Sequence, residues 1–497
     1  MPTCLWGKYL LTIRRLPFAA LAVLASALFA AMYLFTALPR VFYPYDLDFI
    51  EDSMLMQSLR FAQGRPVYIA PTADFVPHVY MPLYSWLGGL ALRVAAPGFA
   101  PLRLLSLAAT LGAAALLYYI AHRESGQHRL AFACAALYLG GYRISGFWYE
   151  LARVDSLAVF LSLCGLALAI YHNGSTTRLL LAAATLALAF FAKQTALAYG
   201  LGLMPYLWLS HGKRAVLFAV VWVALIIAPL AWLNANTGGW FIYHTFRTAG
   251  GDEVQFSRAV HFAAVELFGW MIPLSLMIAG AAAQAVRRNG WRGVAQDHPW
   301  LAGAATAALI SGVGRASVGG NVNNLMPVFA VLCLAPALLW REANAARFTL
   351  PPWLIPLAIV GQLALGVYNP VRYIPTAQMR ASGQQLIQRL AATDGNVLVM
   401  MHPYYAWLAG KAPSAQISNV WYIAHWQRQP LPADLVARIQ THYYSAIISD
   451  ETLFETDPLI HDLIAKYYPH AESLPASESP PTLTGVVVRP MLVYTSP

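Results

Sequence analysis

Stretches of apolar residues long enough to cross a bilayer recur along most of this chain. A spanning helix takes about 20 such residues, roughly 17–25, because every backbone polar group must find its partner inside the segment. By that measure spans are expected near 16–38, 103–121, 130–147, 156–172, 179–192, 194–210, 215–233, 260–286, 299–315, 323–340 and 350–368. The fold class follows: a mainly α, polytopic membrane protein with about eleven transmembrane helices. Composition agrees, since 59% of the residues are hydrophobic and only 11% are charged, against about 25% charged in soluble domains.

The net charge of +10 would suggest nucleic acid in a soluble protein. Here basic residues mark cytoplasmic connections or meet anionic membrane lipid, and no nucleic acid partner is expected. Cys4, Cys134, Cys164 and Cys333 are scattered singly, without metal-ligand spacing. They read as small core residues.

The first apolar stretch follows Lys8, Arg14 and Arg15 and lacks a clear small-residue cleavage site. It reads as a retained first helix with the N-terminus inside. The basic connections at 123–129, 178, 213–214, 287–292 and 341–347 then fall on the same side. Residues 39–102 and everything after about Asn369 fall outside. The short segment "PLYSWLGGLALRV", 82–94, must not span if this parity is to hold; it reads as an interfacial or re-entrant helix. Residues 1–369 thus form the membrane domain, with 39–102 as its first outer loop. Residues 370–497 form an α/β domain, with strands expected at 396–401, 445–450 and 485–494 and helices at 432–443 and 457–468.

The first outer loop carries Asp46, Asp48, Glu51 and Asp52 within seven positions. A helix running to Gly64 would set the last three together near its N-terminus, where its dipole favours anions. Asp46 and Asp52 read as helix-edge solubilisers. Asp48 and Glu51, one turn apart, are candidates for a general base. A second cluster, "GYRISGFWYELARVDSLAVF", holds Arg143, Glu150, Arg153 and Asp155 between two apolar runs. Ionisable residues at membrane depth mark functional sites, or else ion pairs such as Arg153–Asp155 or Arg143–Glu150 that suture helices. In "FFAKQTALAYG", Lys193 and Gln194 break an apolar stretch of about 33 residues, enough for two short spans joined by a tight turn. Lys193 could snorkel or meet a phosphate. In "GRASVGGNVNNLMP", Arg315, Asn321 and Asn324 make a polar turn whose amides suit sugar hydroxyls.

Taken in order, the acidic loop, "YMPLYSWL" with Tyr84, "RLLSLAATLGAAALLYYIAHR", "ELARVDSLAVFLSLCGLAL" and "FFAKQTAL" resemble the membrane-embedded GT-C glycosyltransferases. These use polyprenyl-phosphate sugars and include a protein O-mannosyltransferase-like bacterial family and the lipid A aminoarabinose transferases. The resemblance covers residues 10–370. It implies a bacterial inner-membrane enzyme with its C-terminal domain in the periplasm. A sugar would pass, with inversion, from polyprenyl phosphate to the hydroxyl of a glycan or lipid acceptor. The family's loop Asp-Glu pair precedes a glycine by about 13 residues; counted back from Gly64, it falls on Ile50 and Glu51. The base is therefore Glu51 or Asp48. Asp155 and Arg103 match family positions at helix starts. The family's lysine falls on Met81, leaving His78, Lys193 and Arg153 as replacement cations. No cofactor is expected; a divalent magnesium or manganese ion held by carboxylate oxygens is the less favoured alternative. The competing reading is a transporter or flippase for a lipid-linked sugar, which predicts paired halves with broken midplane helices.

Overall fold

The computed structural model describes residues 5–251, 253–346 and 350–497, without the side chains of residues 5–17. Cys4, Arg347 and the side chains of Lys8, Arg14 and Arg15 lie outside the described residues. The chain begins with α1 (Leu5–Val41), α2 (Phe49–Ala62), α3 (Pro82–Val94), α4 (Phe99–Ser125) and α5 (His128–Gly140). Then come α6 (Asp155–Ile170), α7 (Thr176–Ala192), α8 (Leu197–His211) and α9 (Lys213–Asn236).

Among the described residues, four helical segments are long and apolar enough to cross a membrane: Phe18–Val41, Phe99–Ser125, Lys213–Asn236 and Val322–Ala345. The number rises to six if each of two bent pairs is one span. Helices α6 and α7 are shorter but apolar. Every expected span thus falls on a helix, but length and composition alone support fewer crossings than about eleven.

Two of the expected spans are interrupted. Around 260–286, the helical segments Phe256–Trp270 and Ile272–Asp297 meet at 93°. Met271 leaves helical geometry there, and Pro273, in the first turn that follows, has no N–H to carry the ladder through. The run 130–147 stops being helical at Gly140. Beyond it Gly146 and Phe147 take positive φ values of 71° and 67°, which a helix cannot hold.

The side of the bundle that carries residues 42–98 is called the loop face below. Helix α3 is the expected short helix, and it packs flat on α2. Gly88 and Gly89 allow this: a Cβ on Gly89 would lie 2.7 Å from Phe61 Cβ and 3.0 Å from the Ser58 carbonyl oxygen.

The C-terminal sheet has the order β1–β2–β4–β3, with β1 (Asn396–Val399), β2 (Tyr444–Ser449), β3 (His470–Ser473) and β4 (Leu492–Thr495). The β1/β2 pair is parallel, the others antiparallel. The strand expectations need two corrections. The run 485–494 pairs only from Met491 onward, and its first half is a strap that returns to the acidic loop. β3 is exposed throughout and carries no alternation that could announce it. Helices at Ala377–Ala392 and Pro403–Leu408 were also not anticipated.

Phe49, Ala73 and Val76 of the first loop share one apolar core with Leu398, Met400, Ile417 and Ile447. The acidic loop is therefore folded into the C-terminal residues instead of lying free on the membrane.

Candidate active site

Asp48 is the N-cap of α2: its Oδ1 accepts from the Ile50 N–H at 3.1 Å, satisfying an orphan donor of the first turn. The same oxygen accepts from Arg153 Nη1 at 2.6 Å. No residue among those described donates to Oδ2. Arg153 also donates to the Tyr80 hydroxyl at 2.8 Å, and its Nε lies 3.8 Å from Asp155 Oδ2. Asp155 opens α6, where the helix dipole favours its charge. Its Oδ1 accepts from Lys193 Nζ at 2.7 Å and from Asn323 Nδ2 at 3.1 Å. Lys193, the C-cap of α7, donates also to Asn324 Oδ1 at 3.0 Å. Asp48, Arg153, Asp155 and Lys193 thus form one chain of alternating charge on the loop face. Asp48, Arg153 and Asp155 are buried; Lys193, with 12% of its side chain accessible, is the most open.

Burial pushes the Asp48 carboxyl above its usual range, and the Arg153 charge only partly offsets it. A carboxylate so placed is a stronger base than a solvated one.

Glu51 has different surroundings. Arg103 grips both of its oxygens, at 2.8 and 2.7 Å, and the N–H groups of Ala152 and Leu47 donate at 2.6 and 2.7 Å. The remaining Arg103 donors go to the carbonyls of Arg40, Tyr43 and Tyr45. Glu51 and Arg103 therefore pin the start of the loop. No lone pair of Glu51 is aimed at open space.

Three readings from the sequence are corrected. Asp46 and Asp52 are buried, not solubilising: Asp46 accepts from Tyr405 and lies 2.7 Å from His402 Nδ1, while Asp52 caps the helix that begins at Pro403 by accepting from the Tyr404 N–H at 3.0 Å. His78 is not a cation. Burial, with Arg153 nearby, drops it to about 4 despite its contact with Asn419. Glu150 pairs with Arg40 instead of Arg143, which is exposed and donates to the Val367 carbonyl.

The other named residues lie around this chain of charge. Tyr84 donates to the Leu102 carbonyl and contacts Ser106. Gln194 ties the carbonyls of Val79 and Thr245 together at 2.8 Å each. Arg315 is occupied by Glu266, and Asn321 caps Val322. Sequence reasoning missed Tyr80, Asn323 and Arg40. Asn323 stands between the two asparagines that were named, and a helix-period argument would have been needed to choose it. Among the described residues, no group of three His, Cys, Asp or Glu is placed to hold a metal ion.

A cavity of about 900 Å³ opens between α2, α3, α7 and α9. Its wall is apolar (Leu83, Trp86, Leu188, Phe191) with Arg65 and Arg93 among the lining residues. Asp48, Arg153, Asp155 and Lys193 do not line this cavity; its α7 wall ends at Phe191, two residues before Lys193.

No protein-family model matches the sequence, and no curated protein matches it. Solved structures do match in backbone. The chain shares its backbone fold with several solved structures. Among them, ArnT from Cupriavidus metallidurans superposes with a TM-score of 0.61 at 12% identity, over 94% of this chain and 97% of that one. The same protein bound to undecaprenyl phosphate gives 0.60. The archaeal oligosaccharyltransferase AglB from Archaeoglobus fulgidus, in complex with an inhibitory peptide and a dolichol-phosphate, gives 0.53 at 13% identity. That match covers 90% of this chain and 70% of AglB.

Proposed function

We propose that this chain is a glycosyltransferase that moves a sugar from a polyprenyl-phosphate donor to an acceptor hydroxyl at the loop face, the periplasmic side of a bacterial inner membrane. The observation that carries this reading is the buried chain of charge from Asp48 to Lys193, in a chain that also holds a large apolar cavity between α2, α3, α7 and α9. A polyprenyl tail needs an apolar groove at membrane depth. Its phosphate needs cations that are held in place, and Lys193 and Arg153 supply them.

In the reaction the acceptor oxygen attacks the anomeric carbon and its proton passes to Asp48 Oδ2. The bond from that carbon to the phosphate oxygen breaks, and the electron pair leaves with polyprenyl phosphate. Attack opposite the leaving group inverts the centre. Lys193 and Arg153 offset the charge that grows on the phosphate. Asp155 positions both cations, and Glu51 with Arg103 positions the loop. The superposition with a structure holding undecaprenyl phosphate supports the carrier class.

Mass spectrometry of the polyprenyl lipids that accumulate in cells lacking the protein would identify the donor. The purified full chain should then release polyprenyl phosphate from that donor when membrane-lipid acceptor is added. Asp48→Asn should lower this rate at least about 10²-fold. An undiminished rate in that variant would refute the assignment of the base.

A further inference from the structure

Between β3 and β4 the chain leaves the sheet and runs back to the acidic loop. The Thr482 N–H donates to the Val488 carbonyl, and the Val488 N–H to Thr482 Oγ1, both at 2.9 Å, which closes a small loop. At its far end the N–H groups of Leu483 and Thr484 donate to the Leu47 carbonyl at 3.1 and 2.9 Å. Arg40 donates to Thr484 Oγ1 at 2.7 Å. Gly485 follows with φ of +72°, a conformation that favours glycine. A Cβ there would lie 2.6 Å from Asp48 Oδ2 and 2.9 Å from the Trp148 ring. The backbone of Gly485 thus lies over the one Asp48 oxygen that no protein donor occupies. Beyond it Val486 and Val487 are 51% and 64% exposed.

Asp48 itself is 1% exposed. A general base must come within about 2.6–3.2 Å of the hydroxyl it deprotonates. Gly485 stands in that approach. Arg153, bonded to the other Asp48 oxygen, and Trp148, against Gly485, are both buried. Among the described residues, the hydrogen bonds from the strap's tip to the rest of the chain are the two to Leu47 and the one from Arg40, and it has no ladder partner; Val488 is anchored in an apolar core and Leu483 packs against another, while Gly485, Val486 and Val487 are held by no such packing.

We propose that residues 482–488 form a displaceable cover over Asp48 that must lift for an acceptor hydroxyl to reach it, with Gly485 the residue that lets it shut. This inference rests on the assignment of Asp48 as base. The shut cover leaves Asp48 little access to water when no acceptor is present. That protects the donor from hydrolysis.

Hydrogen exchange read by mass spectrometry on the full chain in lipid nanodiscs tests the motion without any substrate. The 482–488 peptide should exchange at least about 10²-fold faster than β2, because a local opening costs less than unfolding. Thr484→Val removes the Arg40 bond and should speed that exchange about tenfold, leaving β2 unchanged. Labelling with a water-soluble carbodiimide and glycine methyl ester gives a second readout. Asp48 should react about tenfold faster in Thr484→Val, and in Gly485→Ala if that variant folds, than in the unaltered chain. A strap that exchanges as slowly as β2, or Asp48 labelling unchanged by Thr484→Val, overturns the proposal. Neither readout needs turnover. Full transfer activity in Asp48→Asn would therefore sink the assigned base, while these measurements still decide whether the cover moves.

Discussion

Asp48 and Glu51 sit one helical turn apart, yet their surroundings assign them opposite work. Each Glu51 oxygen takes one arm of the Arg103 fork and one backbone N–H. Asp48 keeps Oδ2 free of protein donors. Glu51→Gln replaces an acceptor oxygen with an amide that can only donate, facing an arginine and a backbone N–H. It should destabilise the full chain by about 3–5 kcal/mol, the usual cost of breaking a buried pair from one side. Asp48→Asn still caps α2 and should melt much closer to the parent while losing transfer. Thermal unfolding in detergent, run beside the transfer assay, separates the two; equal melting temperatures would remove the distinction. The sequence narrowed the base to these two acids because both fall on one face of an apolar-flanked helix. It could not choose between them, because Ala152, which donates to Glu51, is about a hundred positions away. Lys193 and Asp155 were legible for a simpler reason: each interrupts or opens a long apolar run.

At the scale of elements, the loop face depends on how closely α2 and α3 approach. Gly89 meets the Phe61 Cβ and the Ser58 carbonyl, neither of which is the mobile end of a side chain. Gly89→Val should therefore force the helices apart and cost about 1–3 kcal/mol. The wall of the 900 Å³ cavity should shift with it, since Phe61 and Leu83 line that space. Thermal unfolding checks the cost, and unchanged stability would mean that α3 is free to slide on α2. Most helices were legible from apolar periodicity, including α3 as a segment too short to span. The strap at 485–491 was not. "GVVVRP" has the composition of a strand, but its neighbours in space are Leu47, Asp48 and Trp148, not another strand.

Across the whole molecule, His402 joins the first loop to the C-terminal residues. Its two ring nitrogens each lie 2.7 Å from a carboxylate, Asp46 on one side and Asp450 on the other. Burial disfavours the charged imidazole, but the Asp450 and Asp46 carboxylates outweigh it and hold the group well above its ordinary value. Its contribution is therefore complete below about pH 6.5 and is lost as pH rises through the raised value. Glu455, pushed up to about 7 by burial and then by Asp450, has the same sign: the folded chain keeps a proton that the unfolded chain releases above about pH 4.5. Asp52, raised by burial and by Asp46, acts likewise. Stability of the full chain should fall as pH rises from 6 to 8.5, and His402→Gln should flatten the decline above about pH 6.5. Melting temperatures at a series of pH values check this; a rise over that interval would contradict it. None of it was legible beforehand, since hydropathy patterns carry no trace of pairings made across hundreds of residues.

The partners of Asp46 have a consequence for how the chain is made. Asp46 leaves the ribosome 356 residues before His402. At roughly 5–20 residues per second, about 20–70 s pass between them. For most of that interval the acidic loop has Arg103 and Arg153 for company but not the imidazole it is built around. Newly made chains paused before residue 402 should therefore hold this loop open to proteases, and its protection should arrive late, with about the last fifth of synthesis.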